Sequence, residues 1–272
     1  MKSNKKKYLR LAGIILLIMF LFAAFDVRLK TVHYAIESDK IHSPIRLALV
    51  TDLHSCKYGE GQKTLINAVN KAEPDIVLLG GDIFDDEIPD DNTKIFLQAI
   101  SNKYPIYYVT GNHEYWSKRV DEMLDWLREN NIEVLDGKTL PLNIKDQTIS
   151  LSGVDDLDVK RFTDKEKDFY DQLAEVGTNK DDELFTILLT HRPAFVDEYL
   201  KYNFDLILCG HAHGGQWRIP YILNGVFAPD EGWLPSYAGG LYNFDHSQMI
   251  VSRGLARESI RVPRILTDQS WS

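Results

Sequence analysis

The stretch "FDLILCGHAHGGQ" (204–216) joins a short β-rich apolar run to two histidines, His211 and His213, with Gly210 before them and Gly214 and Gly215 after. Alternate side chains on an extended segment point the same way. An HxH pair is therefore either two metal ligands or two polar residues in a surface loop, and the rest of the chain must decide between them.

The same theme, an apolar run followed by a polar cluster, repeats along the chain. The runs are "IRLALV" (45–50), "DIVLLG" (75–80), "IYYVTG" (106–111), "ISLSGV" (149–154), "LFTILLT" (184–190) and "FDLILCG" (204–210). Their length and composition predict buried strands. Between them lie amphipathic stretches such as "SKRVDEMLDWLREN" (117–130), where Val120, Met123, Leu124 and Leu127 share one face at helical spacing and read as core. "VRLKTVHYAIES" (27–38) alternates with period two and reads as a further strand. Strands alternating with helices indicate an α/β fold with helices on the sheet faces. In such sheets ligands gather at the carboxyl ends of the strands.

The polar clusters occupy those ends. They are "TDLHS" with Asp52 and His54, "GGDIFDD" with Asp82, "TGNHE" with Asn112 and His113, "LTHRP" with His191, and "CGHAHGG" with His211 and His213. Five of the eight histidines fall in these clusters; His33, His42 and His246 read as ordinary surface or strand residues. Imidazoles, carboxylates and one amide converging on one rim form the donor set of a borderline divalent metal. Without a CxxC pairing, Cys56 and Cys209 do not suggest a thiolate site.

At 272 residues, 44% of them hydrophobic, the chain is long enough to bury a sizeable core and too apolar for disorder throughout. The net charge is −9. Lys2, Lys5, Lys6, Lys7 and Arg10 lie in an acid-free terminal block, and without those five the 31 basic residues become 26 against 40 acidic, a net of −14. That balance argues against nucleic acid as a partner, because backbone-tracking binding needs a basic face. The basic block precedes an uncharged run from Leu11 to Phe25, shorter than the ~20 residues that span a bilayer comfortably. We read residues 1–26 as a basic flank and retained signal anchor, with a cleaved export signal as the alternative. The positive-inside rule then places the remaining domain, residues 27–272, on the outer side of the membrane.

Taken in order, DLH, GD, GNHE, H and GHAH, each after a strand, resemble the calcineurin-like metallophosphoesterase superfamily. "GHAHGGQWRIP" (210–220) and "MIVSRGLARESIRVPR" (249–264) are similar to its membrane-associated or exported phosphodiesterase branch. The resemblance extends from about Ile45 onward. It implies a mixed α/β (α+β) fold, a two-sheet β-sandwich flanked by helices, with a two-metal centre at one edge and the N-terminal hydrophobic helix ahead of it. Carried over motif by motif, Asp52, His54 and His213 hold the first metal and Asn112, His191 and His211 the second. Asp82 bridges the two, and His113 stands beside them without ligating. His211 and His213 thus serve different metals, while Gly210, Gly214 and Gly215 let the backbone approach closely and turn.

Such a centre attracts phosphate to an otherwise acidic domain. Two metals ~3.5–4 Å apart generate a bridging hydroxide, neutralise the phosphoryl oxygens and clamp an in-line displacement, while His113 can protonate the departing oxygen as general acid. The donor set favours manganese, iron or zinc over magnesium. The implied activity is hydrolysis of phosphodiester or pyrophosphate bonds. The alternative is a non-catalytic, metal-stabilised extracytoplasmic interaction module, which would need the ligands but not His113.

Two positions depart from the usual family pattern. Glu114 stands where aspartate is frequent and receives no role. Arg192 follows His191 where a small or amide side chain is common, and reads equally as a phosphate contact or as a surface arginine capping a loop. The acidic run "DDEIPDD" (85–91) reads as a solvated loop, and Cys56 and Cys209 as two small residues not joined to each other. "WRIPYILNGVFAPDEGWLPSYAGGLY" (217–242) carries Trp217, Tyr221, Phe227, Trp233 and Tyr237. It reads as a loop packed on the sandwich edge, some of whose aromatics could wall a site for a lipid-linked phosphorylated substrate.

Overall fold

The computed structural model describes residues 7–8, 10–15, 17–18, 28–216 and 223–257, together with the backbone of 269–271. Two sheets carry the architecture. Strands β1 (Leu47–Val50), β2 (Ile76–Gly80), β3 (Ile106–Val109) and β4 (Glu133–Val134) form an all-parallel sheet in that spatial order. Strands β5 (Lys138–Ile144), β6 (Gln147–Gly153), β7 (Phe185–Leu189), β8 (Leu206–Cys209), β9 (Gly240–Asn243) and β10 (Gln248–Val251) form a mixed sheet in the order β9-β10-β8-β7-β6-β5. Its four inner strands are parallel, and each edge strand is antiparallel to its neighbour.

The period of two along each strand sorts the side chains into layers. Leu49, Ile76, Leu78 and Val109 of the first sheet pack against Ile187, Leu189, Leu206, Leu208 and Ile250 of the second. Their neighbours face outward: Ala48, Val50, Val77 and Leu79 meet the helices α1 (Lys63–Ala72), α2 (Asp91–Ser101) and α4 (Val120–Glu129). On the far side Leu188, Ile207, Cys209, Met249 and Val251 lie under α5 (Phe169–Asn179), with Phe169, Leu173 and Val176 turned inward. Both sheets are thus covered on both faces, so their central strands read as continuous apolar runs. The stripe Val120, Met123, Leu124 and Leu127 of α4 is buried; truncating Leu127 to alanine should cost about 2–5 kcal/mol. Helix α5 starts at Asp168, whose carboxylate accepts from Asp171 N at 2.9 Å while that of Asp171 accepts from Asp168 N at 3.2 Å.

The segment from Leu29 differs from its sequence reading. Only Leu29–Thr31 is a strand, paired with Gln269–Trp271. Beyond it exposure still alternates, and Tyr34 and Ile36 pack onto the inter-sheet core. The side-chain pattern is that of a strand, but among the described residues no neighbouring strand takes up the backbone. Of the apolar run Leu11–Phe25, residues 11–15 and 17–18 are helical with exposed side chains, and the remainder lies outside the described residues. Among the described residues no helix is long and apolar enough to cross a membrane.

Candidate metal centre

The carboxyl ends of β1, β2, β3, β7 and β8 share one rim, and the polar clusters follow directly on them. Asp52 N donates to Gly81 O at 3.0 Å, His54 N to Asp82 O at 2.9 Å and Gly210 N to His191 O at 3.0 Å, tying the strand-end loops to one another. Between the two sheets, His191 Nδ1 lies 2.8 Å from Gly80 O. These loops are strained: Asp52 (φ 52°), His54 (48°), Asp82 (51°), His211 (64°) and His213 (47°) all adopt the left-handed region. For residues other than glycine this costs on the order of 1–3 kcal/mol each and persists only where surroundings enforce it, characteristically at functional sites. Gly210 answers a different need. A Cβ there would lie 2.6 Å from Asp52 Oδ2, so its lack of a side chain admits the carboxylate rather than an ion.

Besides His54, Asp85 and His113, two groups of donor atoms result, each within a span of 4.8 Å: Asp52, His54, Asp82 and His213, and Asp82, His191 and His211. Asp82 belongs to both. Its Oδ2 lies 3.6 Å from His54 Nε2 and 3.2 Å from His191 Nε2, and it is fully buried without an accepted hydrogen bond. Asn112, at the first turn of α3 (Asn112–Trp116), also has a buried Oδ1 with no hydrogen-bond partner. Burying an unsatisfied oxygen costs free energy that a cation at the convergence point would remove. The residues present therefore fit a pair of divalent metals.

The imidazoles are turned toward those points from behind. His54 Nδ1 is 2.9 Å from Asp85 Oδ2, which leaves Nε2 facing Asp82. His191 Nδ1–H donates to Gly80 O, which likewise leaves Nε2 as the lone pair. His211 is turned the other way: Nδ1 lies 3.1 Å from His191 Nε2, and Nε2 lies 3.1 Å from Asp230 Oδ2. His213 Nε2 stands 3.8 Å from Asp52 Oδ1. The backbone N–H groups of His113 and His211 donate to Asp82 Oδ1 and Asp52 Oδ1, each at 2.9 Å, and fix both carboxylates.

His113 is the more open imidazole, its side chain 23% exposed, packed edge-on to His54 with ring centroids 4.3 Å apart. Its Nδ1 is 2.6 Å from Asp86 Oδ1 and 3.5 Å from Asp85 Oδ2. Burial opposes its charge, but the hydrogen-bonded carboxylate of Asp85, with Asp82 and Asp86, prevails and raises its pKa to about 10. Burial likewise opposes charge on His191, and Asp82 then lifts it to about 10. Asp82 is itself held well below the carboxylate range, because His191, His113 and His54 outweigh its desolvation. Without cations, a proton on His191 balances the buried carboxylates, and a metal bound at that imidazole would displace it.

A model of the calcineurin-like phosphoesterase family matches residues 45–215, the span that carries every one of these strand-end clusters. The chain belongs to the calcineurin-like phosphoesterase family. It is 33% identical over 236 residues to an uncharacterized metallophosphoesterase of Aquifex aeolicus (strain VF5), covering 84% of each chain. It is 29% identical over 263 residues to an uncharacterized metallophosphoesterase of Helicobacter pylori (strain J99 / ATCC 700824), covering 93% of this chain and 66% of the relative. A transmembrane protein with metallophosphoesterase domain from Bos taurus is 30% identical over 201 residues, 68% of this chain and 44% of its own. The chain spans about half to two thirds of the length of several curated relatives it matches. Among solved structures, the NAD nucleotidase of Haemophilus influenzae superimposes with a TM-score of 0.51 at 18% identity, over 78% of this chain and 45% of that one. At that identity the likeness is one of fold.

Within this calcineurin-like phosphoesterase several residues stand differently from their sequence reading. The acidic run is solvated only in part: Glu87, Pro89 and Asp91 are exposed, but Asp85 and Asp86 hold His54 and His113, and Asp90 receives Arg119 at 3.0 and 3.1 Å. Glu114, left without a role, is fully buried, and its carboxylate accepts from Asp82 N, Ile83 N, Phe84 N and Gly111 N at 2.8–3.0 Å. It shapes the Asp82 loop and takes no part in orienting His113. Arg192 is not a surface arginine. It is buried, with Nε and Nη2 on Asp156 at 2.7 and 2.8 Å and Nη1 on Asp230 at 2.8 Å. Cys56 and Cys209 are buried in different layers, not joined in a disulfide. Trp217 and Tyr221 lie outside the described residues; Phe227 packs on Trp233 at 5.7 Å, and Trp233 is 74% exposed. Asp85, Asp86 and Asp230 escaped the sequence reading. The nearness of Asp85 and Asp86 to Asp82, three and four residues along the chain, was a usable signal; Asp230 offered none.

Proposed function

We propose that the chain is a membrane-tethered metal-dependent phosphoesterase that hydrolyses phosphodiester or pyrophosphate bonds. One observation carries this reading: the buried, unsatisfied Oδ2 of Asp82 stands at the junction of two donor groups, between His54 Nε2 and His191 Nε2. A carboxylate shared in this way holds two cations at a common spacing. Asp52, His54 and His213 would complete the first half-site, and Asn112, His191 and His211 the second. Bound there, two divalent metals would neutralise phosphoryl oxygens and lower the pKa of water so that hydroxide is available to attack phosphorus.

The chain supplies the rest. His113, protonated and oriented by Asp85 and Asp86, donates its proton to the leaving oxygen. Glu114 holds the loop that presents Asp82, so the shared carboxylate need not reorganise during the reaction. The exposed Trp233 and Leu234, beside the loop that reaches His211, support a substrate with an apolar, lipid-linked portion. The basic flank, the apolar run Leu11–Phe25 and the exposed side chains of Leu11, Ile14, Ile15, Leu17 and Ile18 support a tether with the domain outside the cell. The acidic balance of the domain supports a partner other than nucleic acid.

The purified protein, stripped with chelator and reloaded singly with manganese, iron, zinc or magnesium, should hydrolyse bis-p-nitrophenyl phosphate with the first three and poorly with magnesium. No turnover with any metal overturns the enzymatic reading; full activity with magnesium alone overturns the metal assignment. Membrane fractionation and protease treatment of intact cells test the tether, which a soluble exported chain starting near residue 25 would refute.

A further inference from the structure

We infer that Asp230 is a positioning residue of the second half-site, and that Arg192 sets its place; the inference rests on the dinuclear reading above. Phe227–Ala228 pairs antiparallel with Gly232–Trp233, which puts Asp230 in the connecting turn. Its backbone is left-handed, at φ 63°, and Gly232 follows at 74°. Aspartate tolerates that conformation better than most residues. The turn sends its carboxylate back toward the strand ends.

There Asp230 Oδ2 meets His211 Nε2 at 3.1 Å and Arg192 Nη1 at 2.8 Å. An imidazole that donates from Nε2 keeps its lone pair on Nδ1. His211 Nδ1 lies 3.1 Å from His191 Nε2, the atom facing Asp82, so the carboxylate selects the tautomer that aims His211 at the second metal. Arg192 cannot wander. Its Nε and Nη2 grip Asp156 side by side at 2.7 and 2.8 Å, and the planar guanidinium then fixes where Nη1 points. Because Arg192 directly follows His191, one strand end delivers a second-site ligand and also the group that fixes the brace of the other. The His211–Asp230 pair is the counterpart of His54–Asp85 in the first half-site, supplied from a different part of the chain.

The test is binding of Mn²⁺ or Zn²⁺ by equilibrium dialysis to the full-length wild type, Asp230→Ala and Asp230→Asn, with the melting temperature of each metal-free protein. Wild type should bind two ions. Asp230→Ala should keep the first at wild-type affinity and bind the second about 10–100-fold more weakly. Asp230→Asn, whose amide oxygen still accepts from Nε2–H without the charge, should fall between them; this variant decides if the alanine protein does not fold. Two ions bound by both variants at wild-type affinity overturn the inference and leave the dinuclear reading intact. Equal weakening of both ions with a lowered metal-free melting temperature makes Asp230 a general structural support and also overturns it. Fewer than two ions on wild type removes the dinuclear reading and this inference with it.

Discussion

The two proposed half-sites share Asp82 and differ in how their other candidate ligands are held. In the first, His54 is braced by Asp85, which lies three residues beyond Asp82 in the same strand-end loop. In the second, His191 is braced by the backbone carbonyl of Gly80, and His211 by Asp230 of the hairpin that follows the last site motif. A ligand and brace from one loop are set together by the local backbone. A brace from a hairpin depends on how that hairpin seats against the sandwich. The second half-site should therefore be the more easily uncoupled of the two.

The most damaging change to that comparison is one that erases it. Asp82→Ala removes the shared ligand, so metal analysis should find both ions lost, and hydrolysis of both p-nitrophenyl and alkyl esters should fall to background; an active variant with one ion would show that Asp82 is not shared. Next in size is His113→Ala, which removes none of the proposed metal ligands. Metal content should be unchanged, and rates should drop on the order of 10²–10⁴ for an alkoxide leaving group but far less for p-nitrophenolate, which departs without a proton. Equal losses on the two esters would take His113 out of the acid role. Asp85→Ala should mirror the Asp230 variants by weakening the first ion about 10–100-fold while sparing the second. If dialysis shows the second ion weakened instead, the assignment of braces to half-sites is reversed.

The smallest effect concerns the metal-free protein. His191 is raised from 6.5 to about 10, so its contribution to stability is complete below pH 6.5 and is lost as pH rises toward 10. Asp82 is lowered, so its contribution is present above the ordinary carboxylate range and lost only in acid. Thermal melting of the stripped protein should therefore decline between pH 6.5 and 10, whereas the loaded protein, whose imidazoles bind metal without protons, should decline much less. Identical pH profiles would mean that the imidazoles do not stand in for the cations.

Much of this molecule was open to reading from its residues. All six apolar runs are strands, their ends shifted by no more than two positions, and the stripe of Val120, Met123, Leu124 and Leu127 lies in the core. Burial on both sheet faces demands runs that polar residues cannot interrupt, so such strands announce themselves. The edge strand Gly240–Asn243 did not, because a half-exposed strand carries a weaker pattern. The five strand-end clusters were legible for a related reason: an α/β sheet places its ligands just past its strands.

The sequence by itself thus determined the strands, the rim and the candidate ligands, because each depends on residues adjacent along the chain. What only the tertiary structure decided is the partner of each charge. Asp85, in a run that looks solvated, lies against His54; Glu114 clamps the Asp82 loop; Arg192 joins Asp156 to Asp230; and Asp230 turns His211. A carboxylate looks the same in sequence whether it faces water or a buried imidazole. Its environment is set by which strand ends and turns the two packed sheets bring within about 3 Å of it, a hydrogen-bonding distance that no spacing along the chain encodes.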